Sequence, residues 1–151
     1  MIQRKQTIYL LLALACLIVC LCLPLATYEY KGMGGGDYVW YNLGRMQEGN
    51  LQISPVPFVG LVIAGALTLC NIFLYKRRMV QARLCTVNIV LCTLWYVYWF
   101  GVQFLGLSST NSDVHFHFAF CLPVVAIVFF VMARAGIKAD EALVRSMDRI
   151  R

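Results

Sequence analysis

Charged residues are scarce in this sequence and absent from long stretches of it. Lys, Arg, Asp and Glu together make up 13% of the 151 residues, whereas hydrophobic residues make up 61%. Soluble domains carry about 25% charged residues, so this composition excludes an ordinary soluble fold. Residues 57–75 and 84–107 contain no charged residue. Each stretch is long enough to cross the hydrocarbon core of a bilayer as a helix, which takes about 20 residues.

Ionisable side chains are rare inside the apolar stretches. Four such stretches predict transmembrane helices, at about residues 8–26, 57–75, 84–107 and 116–135. None holds Asp, Glu or Lys, and Arg134 lies at the end of the fourth. Ionisable groups within a bilayer mark proton relays, ion paths and catalytic sites. Their absence disfavours an enzyme and an ion-coupled transporter, and no catalytic residue, cofactor or metal ligand is predicted.

Positive charge is concentrated in one loop and in the two terminal segments. Residues 76–83 hold four cations and no anion, and loops of this kind stay in the cytoplasm. Lys31 and Arg45 are the cations that fall elsewhere. We therefore predict that both termini are cytoplasmic and that the stretch 8–26 is retained rather than cleaved as a signal peptide. The net charge of +6 reflects this topology, so the predicted partner is the lipid bilayer and not nucleic acid.

All seven cysteines fall within apolar stretches. They are Cys16, Cys20, Cys22, Cys70, Cys85, Cys92 and Cys121. On a helix, Cys20 and Cys22 point about 200° apart and cannot bond to each other. Small apolar packing residues are therefore a better interpretation than a membrane thiol oxidoreductase. If a redox role existed, Cys22 and Cys121 would be the first pair to test.

The loop that follows the first predicted helix has a strand-like pattern. Alternating residues at 28–31, 38–42 and 51–54 are separated by turn residues, among them Gly34. We predict a small β-hairpin or three-stranded meander in this outer loop, residues 28–55. The predicted fold class is an all-α membrane protein, a four-transmembrane-helix bundle in a single domain, 1–151.

Small and polar residues recur on one face of the second predicted helix. They are Gly60, Ala64, Thr68 and Asn71. Small residues on one face allow a neighbouring helix to approach closely in lipid. Asn88 of the third helix and Asn71 each lie five residues from the basic loop. We therefore expect their amides to lie at the same depth and to form a mutual hydrogen bond.

Aromatic residues crowd the outer half of the third predicted helix. They are Trp95, Tyr96, Tyr98, Trp99, Phe100 and Phe104. This cluster is typical of an interfacial aromatic belt, and a ring-lined pocket for a lipid or a quinone is the alternative. Beyond it, Asp113, His115 and His117 would share a face if they formed a strand but would diverge at a helix start. Pro123 is expected to bend the last helix.

The C-terminal tail, residues 137–151, follows Gly136 and predicts a separate short amphipathic helix in the cytoplasm. Leu143, Met147 and Ile150 lie on its apolar face with Ala139. This face would rest on the lipid surface or on a protein partner.

Three segments carry a family resemblance. The start Met1-Ile2-Gln3-Arg4, the segment Arg83-Leu84-Cys85-x-x-Asn88 and the tail Lys138–Arg151 resemble a bacterial family catalogued as domain of unknown function 4293. The resemblance implies a four-helix protein of the bacterial inner membrane. The family has no established activity, so no functional residue is carried over.

The function expected from the residues is that of a non-catalytic accessory or assembly subunit of a membrane complex. A lipid- or quinone-binding protein that uses the outer aromatic residues is the alternative, and a thiol oxidoreductase or transporter is less well supported. The sequence leaves the oligomeric state open.

Overall fold

Four helices and five strands form the described part of the chain, which in this computed structural model covers residues 3–30, 37–47, 50–74, 77–102 and 112–148. The helices are α1 (Gln3–Cys22), α2 (Pro55–Phe73), α3 (Arg78–Val102) and α4 (Leu122–Asp148). The strands are β1 (Ala26–Tyr30), β2 (Tyr38–Tyr41), β3 (Gly44–Gln47), β4 (Asn50–Ile53) and β5 (Ser112–Phe116). A short 3₁₀ helix, Phe118–Cys121, precedes α4.

The helices pack in a ring, with α1 against α2 and α4 and with α3 against the same two helices. Buried positions within each helix are spaced alternately by three and four residues. In α1, for example, they are Leu10, Ala13, Leu17 and Cys20. This spacing keeps one narrow stripe of each helix facing its neighbours. Many other apolar side chains of the helices are exposed, as expected where lipid replaces water.

The five strands form one antiparallel sheet in the order β4-β3-β2-β1-β5. Strand β5 lies between α3 and α4 in the chain and pairs with β1 from Ala26↔Phe116 to Tyr30↔Ser112. The prediction of an all-α fold with a hairpin or three-stranded meander is therefore wrong. The strand-like pattern of residues 28–54 was visible in the sequence, but β5 finds its partner more than 80 residues away, where no turn signal joins the two strands.

The prediction of a four-transmembrane-helix bundle also needs correction. Within the described residues, three helical segments are long and apolar enough to cross a membrane, and they are Pro55–Phe73, Arg78–Val102 and Phe118–Val144. The apolar part of α1, Gln6–Cys22, is shorter. It ends before the predicted boundary because the chain turns into the sheet, where the Leu25 backbone N–H donates to the Trp40 carbonyl at 2.8 Å.

The tail does not form a helix of its own. Helix α4 runs without a break through Gly136 to Asp148, so the predicted separation at Gly136 is wrong. Pro123 is the second residue of α4 and does not interrupt it, because the first turn of a helix needs no N–H at that position. The Gln6 amide donates to the Asp140 carboxylate at 2.7 Å. The start of α1 and the last turns of α4 therefore lie at the same end of the bundle.

Candidate functional site

A row of polar side chains is buried between α2 and α3. Thr68, Asn71 and Asn88 have no exposed surface. Ala64 belongs to the same buried face, together with Leu61 rather than Gly60. A Cβ atom added to Gly60 would meet nothing within 4 Å. The structure thus brings together four of the five residues predicted for this contact and leaves Gly60 outside it.

The two asparagines do not bond to each other, so the predicted mutual hydrogen bond is wrong. The Asn88 amide donates to Thr68 Oγ1 at 3.1 Å, and the Asn71 amide donates to Cys85 Sγ at 3.2 Å. Asn71 lies two residues before the end of α2, whereas Asn88 lies ten residues after the start of α3. At 1.5 Å per residue these positions are about 3 Å and about 15 Å from their helix ends. The prediction of equal depth was wrong because it counted residues from the basic loop and not from the ends of α2 and α3.

Side-chain hydrogen bonds within this row join α2 to α3. The Thr68 hydroxyl donates to the Ala64 carbonyl at 2.7 Å while it accepts from Asn88. Gln81 donates to the Asn71 carbonyl at 3.2 Å, which satisfies a backbone acceptor near the end of α2. The Oδ1 atoms of Asn71 and Asn88 have no hydrogen-bond partner among the described residues.

A third buried asparagine, Asn42, lies at the sheet end and was missed by the sequence analysis. It follows β2 in the two-residue turn that leads to β3, and it has no exposed surface. Its amide donates to the Cys20 carbonyl at 2.6 Å, and its Oδ1 accepts from Trp95 Nε1 at 3.0 Å. One side chain thus joins the end of α1, the sheet and α3. The sequence signal that could have identified this position is Asn42-Leu43, a two-residue turn between strand-like segments that is followed by Gly44.

The aromatic residues of α3 pack inward beneath the sheet. Trp95 and Trp99 are buried, and Trp40 of β2 lies edge-on to Trp99 with ring centres 5.2 Å apart. The Tyr96 hydroxyl donates to the Phe120 carbonyl at 2.6 Å. The predicted aromatic belt is therefore wrong for these residues, while Phe100 does face outward and Phe104 lies outside the described residues. The rings occupy the space between the sheet and the helix ends.

The cysteines and histidines lie apart from the buried polar row, except for Cys85. All seven cysteines are free, and Cys20, Cys85 and Cys92 are buried. His115 lies in β5, and His117 follows that strand and shares a 2.8 Å hydrogen bond with Thr27 Oγ1. Within the described residues, no three His, Cys, Asp or Glu side chains are placed to hold a metal ion. The side chain of Asp113 lies outside the described part.

The last turns of α4 present apolar side chains that the bundle does not cover. Asp140 is buried, but Leu143 and Val144 are 56% and 42% exposed. Met147 lies in the final described turn of the helix, and Ile150 lies outside the described residues. Leu143 therefore forms part of an apolar surface that extends past the contact with α1.

The comparison with known proteins identifies the family. A protein-family model described as "Domain of unknown function (DUF4293)" matches residues 2–150. The chain belongs to this family, which confirms the resemblance at its two ends and at the basic loop. No curated protein matches the chain.

Proposed function

We propose that this member of the family is a multi-pass protein of the bacterial inner membrane and serves as a non-catalytic accessory or assembly subunit of a membrane complex. The membrane assignment is supported by the three helical segments in the described part of the chain that are long and apolar enough to cross a membrane. The start of α1 and the last turns of α4 lie at one end of the bundle. That end also carries Arg77 and Arg78, beside Glu141 of α4. Its cations favour the cytoplasmic side for this end and for both termini.

The observation that carries the subunit proposal is the exposed apolar surface at the end of α4. We call it the tail surface and define it by its described residues, Leu143 and Val144. Both lie beyond Asp140, which is the last buried residue among the described side chains of α4. An apolar helix face that its own bundle leaves uncovered is the type of surface that docks in a groove of a partner protein.

The test is purification in a mild detergent from a strain with the native gene tagged. We expect a membrane protein to copurify in a fixed ratio with the wild-type chain. Replacement of Leu143, Met147 and Ile150 by Ser should release it, because the anchoring side chains are lost. The ratio is measured by quantitative mass spectrometry of the purified sample.

A matched control changes exposed apolar residues at the other end of the bundle. Leu51 and Ile53 of β4 are 45% and 67% exposed, and their replacement by Ser should leave the partner bound. Loss of the partner from this control instead would move the docking surface to the sheet. A wild-type chain that purifies without any stoichiometric protein would contradict the subunit proposal.

The alternative function is lipid or quinone binding beneath the outer aromatic residues. It has weaker support, because Trp40, Trp95 and Trp99 pack against one another. Copurification of a quinone with the wild-type chain, and its loss in the variant Trp99→Phe, would favour this alternative over the subunit proposal.

A further inference from the structure

A groove of about 280 Å³ lies between the first turns of α3 and the second half of α4. Among the described residues that line it are Arg83, Arg134, Lys138, Glu141 and Ala142. Ala82 and Ile137 are buried and form its floor. The groove therefore lies near the start of α3 and towards the end of α4, two helices that contain segments long and apolar enough to cross a membrane.

The groove is positively charged. Arg83, Arg134 and Lys138 contribute three cations, and Glu141 contributes one anion. A second groove, which shares Met79 and Glu141 with the first, adds Arg77 and Arg78. Five cations around two connected grooves produce a local positive potential that attracts anions.

Arg134 has a buried hydrogen-bond donor without a partner in the described part of the chain. This donor is the Nε atom of its side chain. A buried donor without an acceptor costs about 1–3 kcal/mol, and more when the group is charged. Because the half-buried Arg134 also lines the groove, an anionic oxygen bound there would lie beside its side chain. Guanidinium groups bind phosphate oxygens in this way, often through two parallel hydrogen bonds.

The surface next to the groove favours a lipid over a free phosphate ion. On the following turns of α3, the exposed side chains include Val87 and Val90. On the preceding turns of α4, they include Val131 and Met132. A ligand bound between these helices would have cations at its anionic end and apolar side chains along its length. Basic pockets between membrane helices bind anionic lipid headgroups by the same combination.

We propose that the groove between α3 and α4 binds the phosphate of an anionic phospholipid, with Arg134 and Lys138 as its main ligands. Arg83 adds a third cation at the groove. The acyl chains extend along the outward apolar sides of the two helices. Its main ligands, Arg134 and Lys138, lie outside the tail surface, so either proposal can fail without the other.

The test measures lipid binding to the purified protein in a neutral detergent. Phosphatidylglycerol is titrated against phosphatidylcholine with identical acyl chains, and bound lipid is counted by native mass spectrometry. The wild-type chain should retain phosphatidylglycerol preferentially. The double variant R134Q/K138Q should bind it about thirtyfold more weakly, since each basic residue near a lipid headgroup contributes on the order of a factor of five. Equal retention of phosphatidylglycerol by this variant and the wild type would overturn the proposal.

Two further variants distinguish binding in the groove from a general effect of positive charge and from misfolding. Arg4→Gln with Lys5→Gln removes two cations from the same end of the bundle and should change binding less than about threefold. Ala142→Trp leaves every charge in place but fills the groove, so it should also abolish the preference for phosphatidylglycerol. If Arg4→Gln/Lys5→Gln weakens binding as much as R134Q/K138Q, or if Ala142→Trp keeps full binding, the groove is not the site.

A last arm distinguishes the two sources of a phosphate group. Inorganic phosphate is added to the wild-type protein at the same concentration as the bound phosphatidylglycerol. Retention of the lipid is expected, because inorganic phosphate gains no contact with the apolar surface. Displacement of the lipid at equal concentration would overturn the lipid assignment and point to a site for free phosphate.

Discussion

The two ends of the bundle differ in how completely they are closed. At the sheet end, the strands cover the helix ends, the tryptophan rings pack against one another, and both ends of the Asn42 amide are bonded. At the basic end, a charged groove stays open between α3 and α4. We therefore expect the sheet end to contribute most to stability, whereas the basic end keeps a groove that a ligand can enter.

The physical reason lies in the groups that each end buries. Aromatic pairs contribute about 0.5–1.5 kcal/mol beyond the area that they bury, and the sheet end contains several of them, such as Trp40 with Trp99 and Tyr28 with Tyr38. The basic end instead gathers five cations around Glu141, and like charges at this spacing repel one another. We therefore expect substitutions at the sheet end to have the larger effects on unfolding.

The largest expected effect is that of Asn42→Ala. This change removes the acceptor of Trp95 Nε1 and the donor to the Cys20 carbonyl, so two buried polar groups lose their partners. We expect the free energy of unfolding to fall by about 3 kcal/mol. The measurement is equilibrium unfolding by sodium dodecyl sulfate in mixed micelles. Asn50→Ala, on the exposed side of β4, should stay within about 0.5 kcal/mol of the wild type. Equal losses in the two variants would contradict the role given to Asn42.

The same Gly→Ala change at each end should have different results. A Cβ atom at Gly44 would lie 2.1 Å from the Gln52 carbonyl oxygen, so β3 and β4 would have to separate. We expect the free energy of unfolding, measured in the same way as for Asn42→Ala, to fall by about 2 kcal/mol. At Gly136 the nearest atom is the flexible side chain of Gln6, 3.2 Å away. There the better helix propensity of Ala offsets the tighter contact, and the change should stay within about 1 kcal/mol. Similar decreases in the free energy of unfolding at both positions would contradict the expected difference between the two ends.

The smallest expected effect is that of Asn88→Leu. Leucine has nearly the same volume, and Thr68 keeps its bond to the Ala64 carbonyl. The substitution also removes the Oδ1 atom that has no described partner. Hydrogen bonds between membrane helices are worth about 0.6 kcal/mol on average, so the free energy of unfolding should change by less than about 1 kcal/mol. A loss as large as that of Asn42→Ala would show that both asparagines are equally important for stability, which would contradict this expectation.

The sequence alone predicted much of the helical part of the fold. Long apolar stretches marked α2, α3 and the first half of α4, because a helix in lipid must be apolar over most of its length. It also placed Ala64, Thr68 and Asn71 on one face of the second helix and predicted a contact between Asn71 and Asn88 of the third. The partner of each asparagine was wrong, since a relative shift of two helices depends on where both of them end.

The sequence by itself determined the features that local patterns encode. They are the apolar stretches, the concentration of cations around residues 76–83 and at the termini, and the strand-like alternation of residues 28–54. Such patterns need only the chemistry of adjacent residues and the periods of helix and strand. The tertiary structure alone decided the pairing of β5 with β1, the insertion of Asn42 between α1 and α3, and the groove that contains Arg134 and Lys138. Each of these features joins residues that are far apart in the chain. Their contacts stabilise the protein only when the whole bundle and the sheet have formed.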